Sequence, residues 1–306
     1  MIRIGSRGSQ LALWQAHHVA GLLQGQRHQV EIEIIKTTGD RLQEVTFAQV
    51  GSKGMFTLEI EEALAEGRID LAVHSLKDLP TELPDQFVLG ATPTRVDPRD
   101  VLVSKEYASF RDLPAGARVG TSSLRRRAQL RYLRPDLEYV EFRGNVDTRL
   151  RKLGEGQAEA ILLAAAGLDR LEKTEWIRER FEPEVVCPSA GQGALGIEIR
   201  AKDPRMAEVV AFLNDPATRF AVTAERVALA GLGGGCQVPI GVHCRPVHGV
   251  GLDGQFEILG LVADPEGSRI LRSCALGNHA EELGRAVAAE LLQQGASELF
   301  EGIGTS

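Results

Sequence analysis

The sequence predicts an α/β protein, with two doubly wound α/β domains followed by a small C-terminal α+β domain. Three observations predict it. Strand and helix signals alternate through the first 78 residues, which is the order that builds a parallel sheet covered by helices. The alternation restarts after TPTRVDPRD near residue 97, whose two prolines and polar residues suit a crossing between domains. From about 216 it gives way to a helix, three consecutive strand-like runs and a final helix. At about 150 residues per domain, a chain of 306 holds two or three domains.

Residues 2–5 read as a strand, and Ser9 caps a helix whose Leu11, Trp14, His18 and Leu22 share one face. VEIEII at 30–35 alternates as a strand does. Residues 56–65 read as a helix with Phe56, Ile60, Ala63 and Leu64 turned inward, followed by a strand at 69–73. In this architecture functional groups sit in loops beyond the carboxyl ends of the strands, and 74–78 is such a loop. The second unit has predicted strands at 101–103, 118–120, 138–142 and 160–164, with helices near 122–133 and 146–153. The last segment has a helix near 216–230, strands at 239–245, 256–263 and 268–275 with a turn at DPEG between the last two, and a helix at 279–294.

Composition excludes several classes. Hydrophobic residues make up 43% and charged residues 25%, as in ordinary globular proteins. The net charge of −7 argues against a chain built to coat nucleic acid or an acidic membrane, and 5% aromatics leave few platforms for stacking bases. The four cysteines, Cys187, Cys236, Cys244 and Cys274, lie far apart without a CxxC pair, so neither a disulfide framework nor a zinc ribbon is indicated. The start MIRIGSRGSQ lacks the apolar stretch of a signal peptide, and the longest apolar run, 160–168, is too short to span a bilayer. A cytoplasmic location with reduced thiols is therefore expected.

The most informative window is 118–151. It holds nine arginines and no lysine against four acids, a net of +5, which leaves −12 on the remaining chain. Arginine's planar fork grips carboxylate or phosphate in a bidentate way that lysine cannot match, so the window points to oxyanion recognition. Thr121, Ser122 and Ser123 fall between a predicted strand and helix, where free N–H groups, hydroxyls and the helix dipole favour an anion. Arg125, Arg126 and Arg127 read equally as a solvated helix face. Elsewhere, His74, Ser75, Lys77 and Asp78 stand in a turn after a strand. Asp78 is a candidate catalytic group there, or a turn cap before Pro80. GSKGMF reads as a flexible loop with Lys53 as its cation. GGGCQVP places the Cys236 thiol where glycines let backbone approach a ligand closely, whereas Cys187, Cys244 and Cys274 read as buried small hydrophobes. No metal-ligand spacing is present, and no metal is expected.

Taken together, SRGSQLALWQA, GSKGMF, AVHSLKDLP, DPRD, GTSSLRRR, FRGNVDTRL, AGLDRL, SAGQGALGIE and GGGCQVPIG resemble the porphobilinogen deaminase (hydroxymethylbilane synthase) family of tetrapyrrole and haem biosynthesis, in the family's order and over most of the chain. The resemblance implies two periplasmic-binding-protein-like domains around a cleft, with the chain returning to the first after the second. The domains would be 1–96 with 191–213, then 97–190, then 214–306 carrying the cofactor cysteine. It implies a transferase acting as a monomer on porphobilinogen. Four substrate molecules are condensed head to tail with loss of ammonia, then released as hydroxymethylbilane from a covalent dipyrromethane primer.

Residue by residue, the resemblance makes Asp78 catalytic and Cys236 the thioether anchor of the dipyrromethane. Cofactor contacts fall on Lys53, Ser75, Lys77, Thr121, Ser123, Arg125, Arg126 and Arg143. Substrate contacts fall on Arg7, Ser9, Arg143, Arg149 and Arg170. Each ring brings an acetate and a propionate, so the arginine window becomes intelligible as their electrostatic counterpart. Gln49 and Thr38 stand where many relatives carry a cation, which puts individual contacts in doubt. Two other classes fit parts of the pattern: a dicarboxylate-binding protein of the solute-binding fold, and a phosphate-handling transferase using the 121–126 loop. No Walker-type or dinucleotide fingerprint supports the second.

Overall fold

The computed structural model describes residues 1–37, 57–234, 238–247 and 254–300. Two compact units divide the chain. One comprises Met1–Val96 and Gly193–Arg219, the other Asp97–Gln192 and Phe220–Ser306.

The first unit is a five-stranded sheet sandwiched by helices. Its strands are β1 (Ile2–Ser6), β2 (Val30–Ile34), β3 (Leu71–Ser75), β4 (Phe87–Ala91) and β10 (Leu195–Arg200), in the order β2-β1-β3-β10-β4. β1 pairs in parallel with β2 and β3, while β10, arriving after the chain returns, runs antiparallel between β3 and β4. Helices α1 (Gln10–Gly25), α2 (Leu58–Ala65) and α6 (Pro204–Val210) cover the sheet. Ile4, Val19, Leu23, Leu71, Ile197 and Val210 form one core, and Ile60, Leu64, Ile69 and Ala72 form another with α2. Ile60, Ala63 and Leu64 are buried as expected, while Phe56 lies outside the described residues.

α1 is capped by Ser9, whose hydroxyl accepts from the Ala12 N–H. Its buried face is not the one that Leu11, Trp14, His18 and Leu22 share. Gln15, Ala16, Val19, Ala20 and Leu23 face the sheet, and Leu22 is exposed. The reason is a polar residue in the buried stripe: Gln15 Nε2 donates to Ser75 Oγ at 2.7 Å, so the helix is turned toward the end of β3. Trp14 and His18 stack on each other away from that stripe, their ring centroids 5.1 Å apart.

The second unit repeats the arrangement. Strands β5 (Asp100–Ser104), β6 (Arg118–Gly120), β7 (Glu138–Val140), β8 (Ala160–Ala164) and β9 (Ile177–Arg180) are ordered β7-β6-β8-β5-β9. Here β5, the first strand after the crossing, is the antiparallel member between β8 and β9. Helices α3 (Leu124–Leu133), α4 (Val146–Gly154) and α5 (Ala165–Arg170) follow β6, β7 and β8. The C-terminal part of this unit is an antiparallel sheet of β11 (Ile240–Pro246), β12 (Phe256–Ala263) and β13 (Ile270–Gly277). Helices α7 (Pro216–Gly231) and α8 (Ala280–Gln293) pack with it around Ala224, Val242, Ile258, Val262, Val287 and Leu291. This is the fold class expected, two mixed α/β sheets and a small C-terminal antiparallel-sheet domain. β4, β9, β10, α5 and α6 are additions to the sequence reading.

Candidate active site

In the first unit, β3 ends at Ser75 and passes directly into a single 3₁₀ turn, Leu76–Asp78. Leu76 N–H donates to the Ala194 carbonyl at 3.0 Å and Leu79 N–H closes the turn on Leu76 at 3.1 Å, so the turn is tied to the strand that follows the return crossing. Arg7, Ser9, Gln15, His74, Ser75 and Asp78 line one pocket at this strand end. Asp78 is exposed there, with half-buried Ser75 and Lys77 beside it in sequence. The structure thus gathers the expected residues Arg7, Ser9, Ser75 and Asp78 at one site, where a carboxylate stands among a guanidinium and hydroxyls.

Behind this pocket lies a cluster the sequence reading did not find. His74 Nε2 stands 2.9 Å from Glu198 Oε2, with both side chains buried. Among the described residues, Glu198 Oε1 has no hydrogen-bond partner. Burial pushes the nearby Glu61 carboxyl on α2 up from its ordinary value, and the Glu198 charge adds to the push. Period-2 alternation in LGIEIR was the available signal, because it sends Glu198 to the same face of the sheet as Gly196, the register partner of His74.

In the second unit, the 121–123 loop leads from β6 into α3. Thr121 Oγ1 accepts from the Ser123 N–H at 3.2 Å, Ser122 Oγ accepts from the Phe142 N–H at 3.1 Å, and Ser123 Oγ caps α3 by accepting from the Arg126 N–H at 3.4 Å. Asn145 caps α4 in the same way, accepting from the Thr148 N–H at 2.9 Å, with Gly144 before it at φ +119°.

Arg125 and Arg126 are not displayed on a solvated helix face. Both guanidiniums are buried against the wholly buried Asp100 carboxylate. Arg125 Nη1 donates to Oδ2 at 2.6 Å, and Arg126 reaches Oδ1 from Nε at 2.9 Å and Nη2 at 2.7 Å. Gln192 Nε2 adds a donor to Oδ1 at 2.9 Å. Burial by itself would raise the Asp100 carboxyl, but the two arginines overcome it and hold the group well below the usual carboxylate range. Two guanidiniums on one carboxylate leave a net positive charge beneath the N-terminus of α3.

Most other arginines of the window also have acidic partners: Arg118 with Glu159, Arg131 with Glu266, Arg134 with Asp136, Arg143 with Glu141 and Arg151 with Glu155. Arg170 closes α5 and is buried, which pulls its guanidinium down to about 10 against the opposing pull of Asp169. Arg149 is half-buried on α4.

Cys187 and Cys244 are buried, as expected of small hydrophobes, and burial pushes the Cys187 thiol up to about 12. Cys274 departs from the expectation. It is exposed, because strand alternation puts it with Arg272 on the outer face of β13 while Leu271 and Ser273 point inward. Cys236, Lys53, Thr38 and Gln49 lie outside the described residues. Among the described residues no group of three or more His, Cys, Asp or Glu side chains could hold a metal ion, and no helix is long and apolar enough to cross a membrane.

Comparison with known proteins matches residues 2–208 to the porphobilinogen deaminase dipyrromethane cofactor binding domain and residues 219–293 to the porphobilinogen deaminase C-terminal domain. A porphobilinogen deaminase of Nitratidesulfovibrio vulgaris (strain Miyazaki F) is 50% identical over 305 residues, covering 97% of this chain and 95% of that one. Those of Syntrophobacter fumaroxidans and Roseiflexus sp. (strain RS-1) are 47% and 49% identical, covering 99% and 98% of this chain and 98% of each relative. The strand-end pocket at Asp78 and the capped, arginine-backed loop at 121–126 are therefore features of a chain that belongs to the porphobilinogen deaminase family.

Proposed function

We propose that Asp78 carries the deamination chemistry of this enzyme, which condenses four porphobilinogen molecules head to tail into hydroxymethylbilane for tetrapyrrole biosynthesis. The observation that carries the assignment is its position: a carboxylate exposed at a strand end, in one pocket with Arg7, Ser9 and Ser75. The substrate's aminomethyl group is an ammonium at neutral pH, so departure of ammonia mainly requires stabilising the azafulvenium cation left behind. The Asp78 carboxylate does this by charge and by accepting from the pyrrole N–H, and it can receive the proton lost when the new carbon–carbon bond is made. Arg7, Ser9, Arg143, Arg149 and Arg170 are read as partners of the substrate's acetate and propionate.

The donor set of the second unit suits the polyanionic dipyrromethane. The 121–123 loop presents hydroxyls and a helix N-terminus, and the Arg125–Asp100–Arg126 triad beneath it is net positive. Thr121, Ser123, Arg125, Arg126 and Arg143 in this unit, with Lys53, Ser75 and Lys77 in the first, are proposed to hold its carboxylates. Arg126 would act chiefly through its field, because its Nε–Nη2 fork is occupied by Asp100, as would the buried Arg125, whose Nη1 is shared between Asp100 and the Cys187 carbonyl. When bound, the dipyrromethane supplies the pyrrole carbon that the first substrate joins. Cys236 is proposed as its thioether anchor, on a C-terminal domain beginning near 214, in an enzyme working as a cytoplasmic monomer. Turnover and cofactor content of Asp78→Asn test the catalytic assignment.

A further inference from the structure

We propose that Gln129 is a positioning residue for cofactor assembly: its buried amide holds the backbone at Cys187 against α3, and through that segment keeps β11 at one spacing from the 121–126 loop. This rests on the reading of that loop and of Cys236 given above. Gln129 stands on α3 one turn after Arg125 and is almost wholly buried. Its Oε1 accepts from the Cys187 N–H at 2.7 Å and its Nε2 donates to the Cys187 carbonyl at 3.1 Å, so the side chain pairs with the backbone as a neighbouring strand would. Nε2 also donates to the Arg125 carbonyl at 3.2 Å, and Arg125 Nη1 donates to the same Cys187 carbonyl at 2.6 Å. Two successive turns of the helix that opens at the 121–123 loop are thus fixed to residue 187.

Residues 188–191 in turn meet β11, an edge strand of its sheet. The Val242 N–H donates to the Pro188 carbonyl at 2.9 Å. Glu225, wholly buried on α7, accepts one N–H from each side, from Cys244 through Oε1 and from Gly191 through Oε2, both at 2.7 Å. Gly241 has no room for a side chain, since a Cβ there would lie 2.8 Å from both the Cβ and the carbonyl oxygen of Cys187. A second close approach lies in the turn between β12 and β13, where a Cβ on Gly267 would lie 2.6 Å from the Ala128 carbonyl oxygen of α3. Ala128, Cys187, Leu261 and Ala263 pack together as one buried cluster. Cys236 precedes Ile240, the first residue of β11, by four positions in sequence. The clamp on Cys187 therefore ties the helix behind the proposed carboxylate donors to the strand that follows the proposed anchor. Assembly forms a bond from the thiol sulfur to the substrate's methylene carbon and breaks that carbon's bond to nitrogen, the thiol proton departing with the ammonia as ammonium. A second substrate joins the free pyrrole carbon, whose proton leaves with the second ammonia. Both joinings need the thiol and the carboxylate donors to act on one molecule, so their rate depends on the spacing. Gln129→Met keeps the side-chain length but orphans the buried Cys187 N–H, which loosens the segment from α3.

The test follows assembly on the full-length chain purified from cells that make no porphobilinogen. After porphobilinogen is added, intact mass reads the gain of the dipyrromethane with time. Wild type should gain it, and Gln129→Met should do so at least about tenfold more slowly, since a misplacement of about 1 Å costs up to about a hundredfold. Gly241→Ala, which crowds Cys187 from the β11 side and leaves Gln129 in place, should be slowed alike. Leu23→Ala, which opens a cavity in the core of the first unit, should assemble at the wild-type rate, and this separates spacing from general loosening. Gln129→Met assembling as fast as wild type, or Leu23→Ala slowed as much, overturns the proposal. In the wild-type holoenzyme the Cys187 and Val242 amides should exchange hydrogen as slowly as those within β12, a measurement that decides the matter if the variants do not fold. Fast local exchange at both while β12 stays protected overturns it. If Cys236→Ser still gains the adduct, the anchor assignment falls and this proposal with it. If Cys236→Ser gains none while Gln129→Met assembles at the wild-type rate, the anchor stands and only the role of Gln129 is overturned.

Discussion

Asp100 Oδ2 accepts a hydrogen bond from Arg125 Nη1 at 2.6 Å, with both side chains buried. With Arg126 on its other oxygen, Asp100 is the only anion offsetting two buried guanidiniums in that triad. Removing one partner of a buried ion pair typically costs about 3–5 kcal/mol, because the charge left behind cannot be resolvated. Asp100→Asn is therefore expected to destabilise the protein on that scale, read from urea unfolding. Asp97→Asn should cost less, since its arginine partners Arg99 and Arg180 are partly exposed and can turn to water. Equal losses would contradict this ranking.

The same carboxyl gives a pH dependence. Its folded-state value is depressed below the unfolded one of about 3.9, so its contribution is complete above about pH 4 and is lost only as the pH falls toward the folded value. Stability lost through this group should thus appear below about pH 4 in the wild type and be absent from the corresponding range in Asp100→Asn. Parallel acid-unfolding curves for the two proteins would count against it.

The sequence made much of this fold legible, and its errors have physical causes. Strands 118–120, 160–164 and 256–263 fall where alternation and turn signals put them. The inward face of α1 is hard to see in the sequence because its buried stripe contains Gln15, which donates to Ser75. The arginine window looked like a free cation store because charge was summed along the chain. Asp100, Glu159 and Glu266, which lie outside the window, pair with four of its arginines, Asp100 with both Arg125 and Arg126, through contacts that only folding creates. Order alone put 74–78 beyond a strand end, where the pocket lies, but left Asp78 as a catalytic group or a turn cap; its catalytic role and the cofactor contact of Ser75 came from the resemblance. Glu198 escaped because it comes from a strand added by the returning chain, and nothing local marks its partner 124 residues away.

Asp78→Asn preserves size while removing the negative charge. We expect a steep fall in kcat, of at least about a hundredfold if one electrostatic contact to the developing charge is lost, with the dipyrromethane retained. Turnover assays together with intact mass separate the two effects. An asparagine variant that turns over like the wild type would remove Asp78 from the chemistry.

Arg143 and Arg149 flank the start of α4, where Asn145 caps the helix. Replacing either by lysine keeps charge but loses the bidentate fork. Each variant is expected to show raised KM or slowed elongation, followed by single-turnover assays. Unchanged kinetics and cofactor content in both would assign these arginines to the solvated surface.

Thiol accessibility separates the cysteines. Cys187, buried with its thiol pushed up to about 12, should resist alkylation in the native protein, as should buried Cys244. Cys274 is exposed and should react, though slowly, because partial burial and the neighbouring Glu257 carboxylate both raise its thiol. Peptide mapping after brief native alkylation reads this pattern. Fast labelling of Cys187 would contradict the packing around it.

One thiol, Cys236, is proposed to anchor the pyrrole primer on which this enzyme works. The thiolate is a far better nucleophile toward an azafulvene carbon than a hydroxyl that stays protonated at neutral pH. The most direct measurement is the intact mass, with a pyrrole-specific colour reaction, of the purified wild type and of serine variants at each of the four cysteines. A dipyrromethane adduct is expected on the wild type and on the Cys187, Cys244 and Cys274 variants, and none on Cys236→Ser. An adduct that persists on Cys236→Ser, or an unmodified wild type that remains active, would contradict the account.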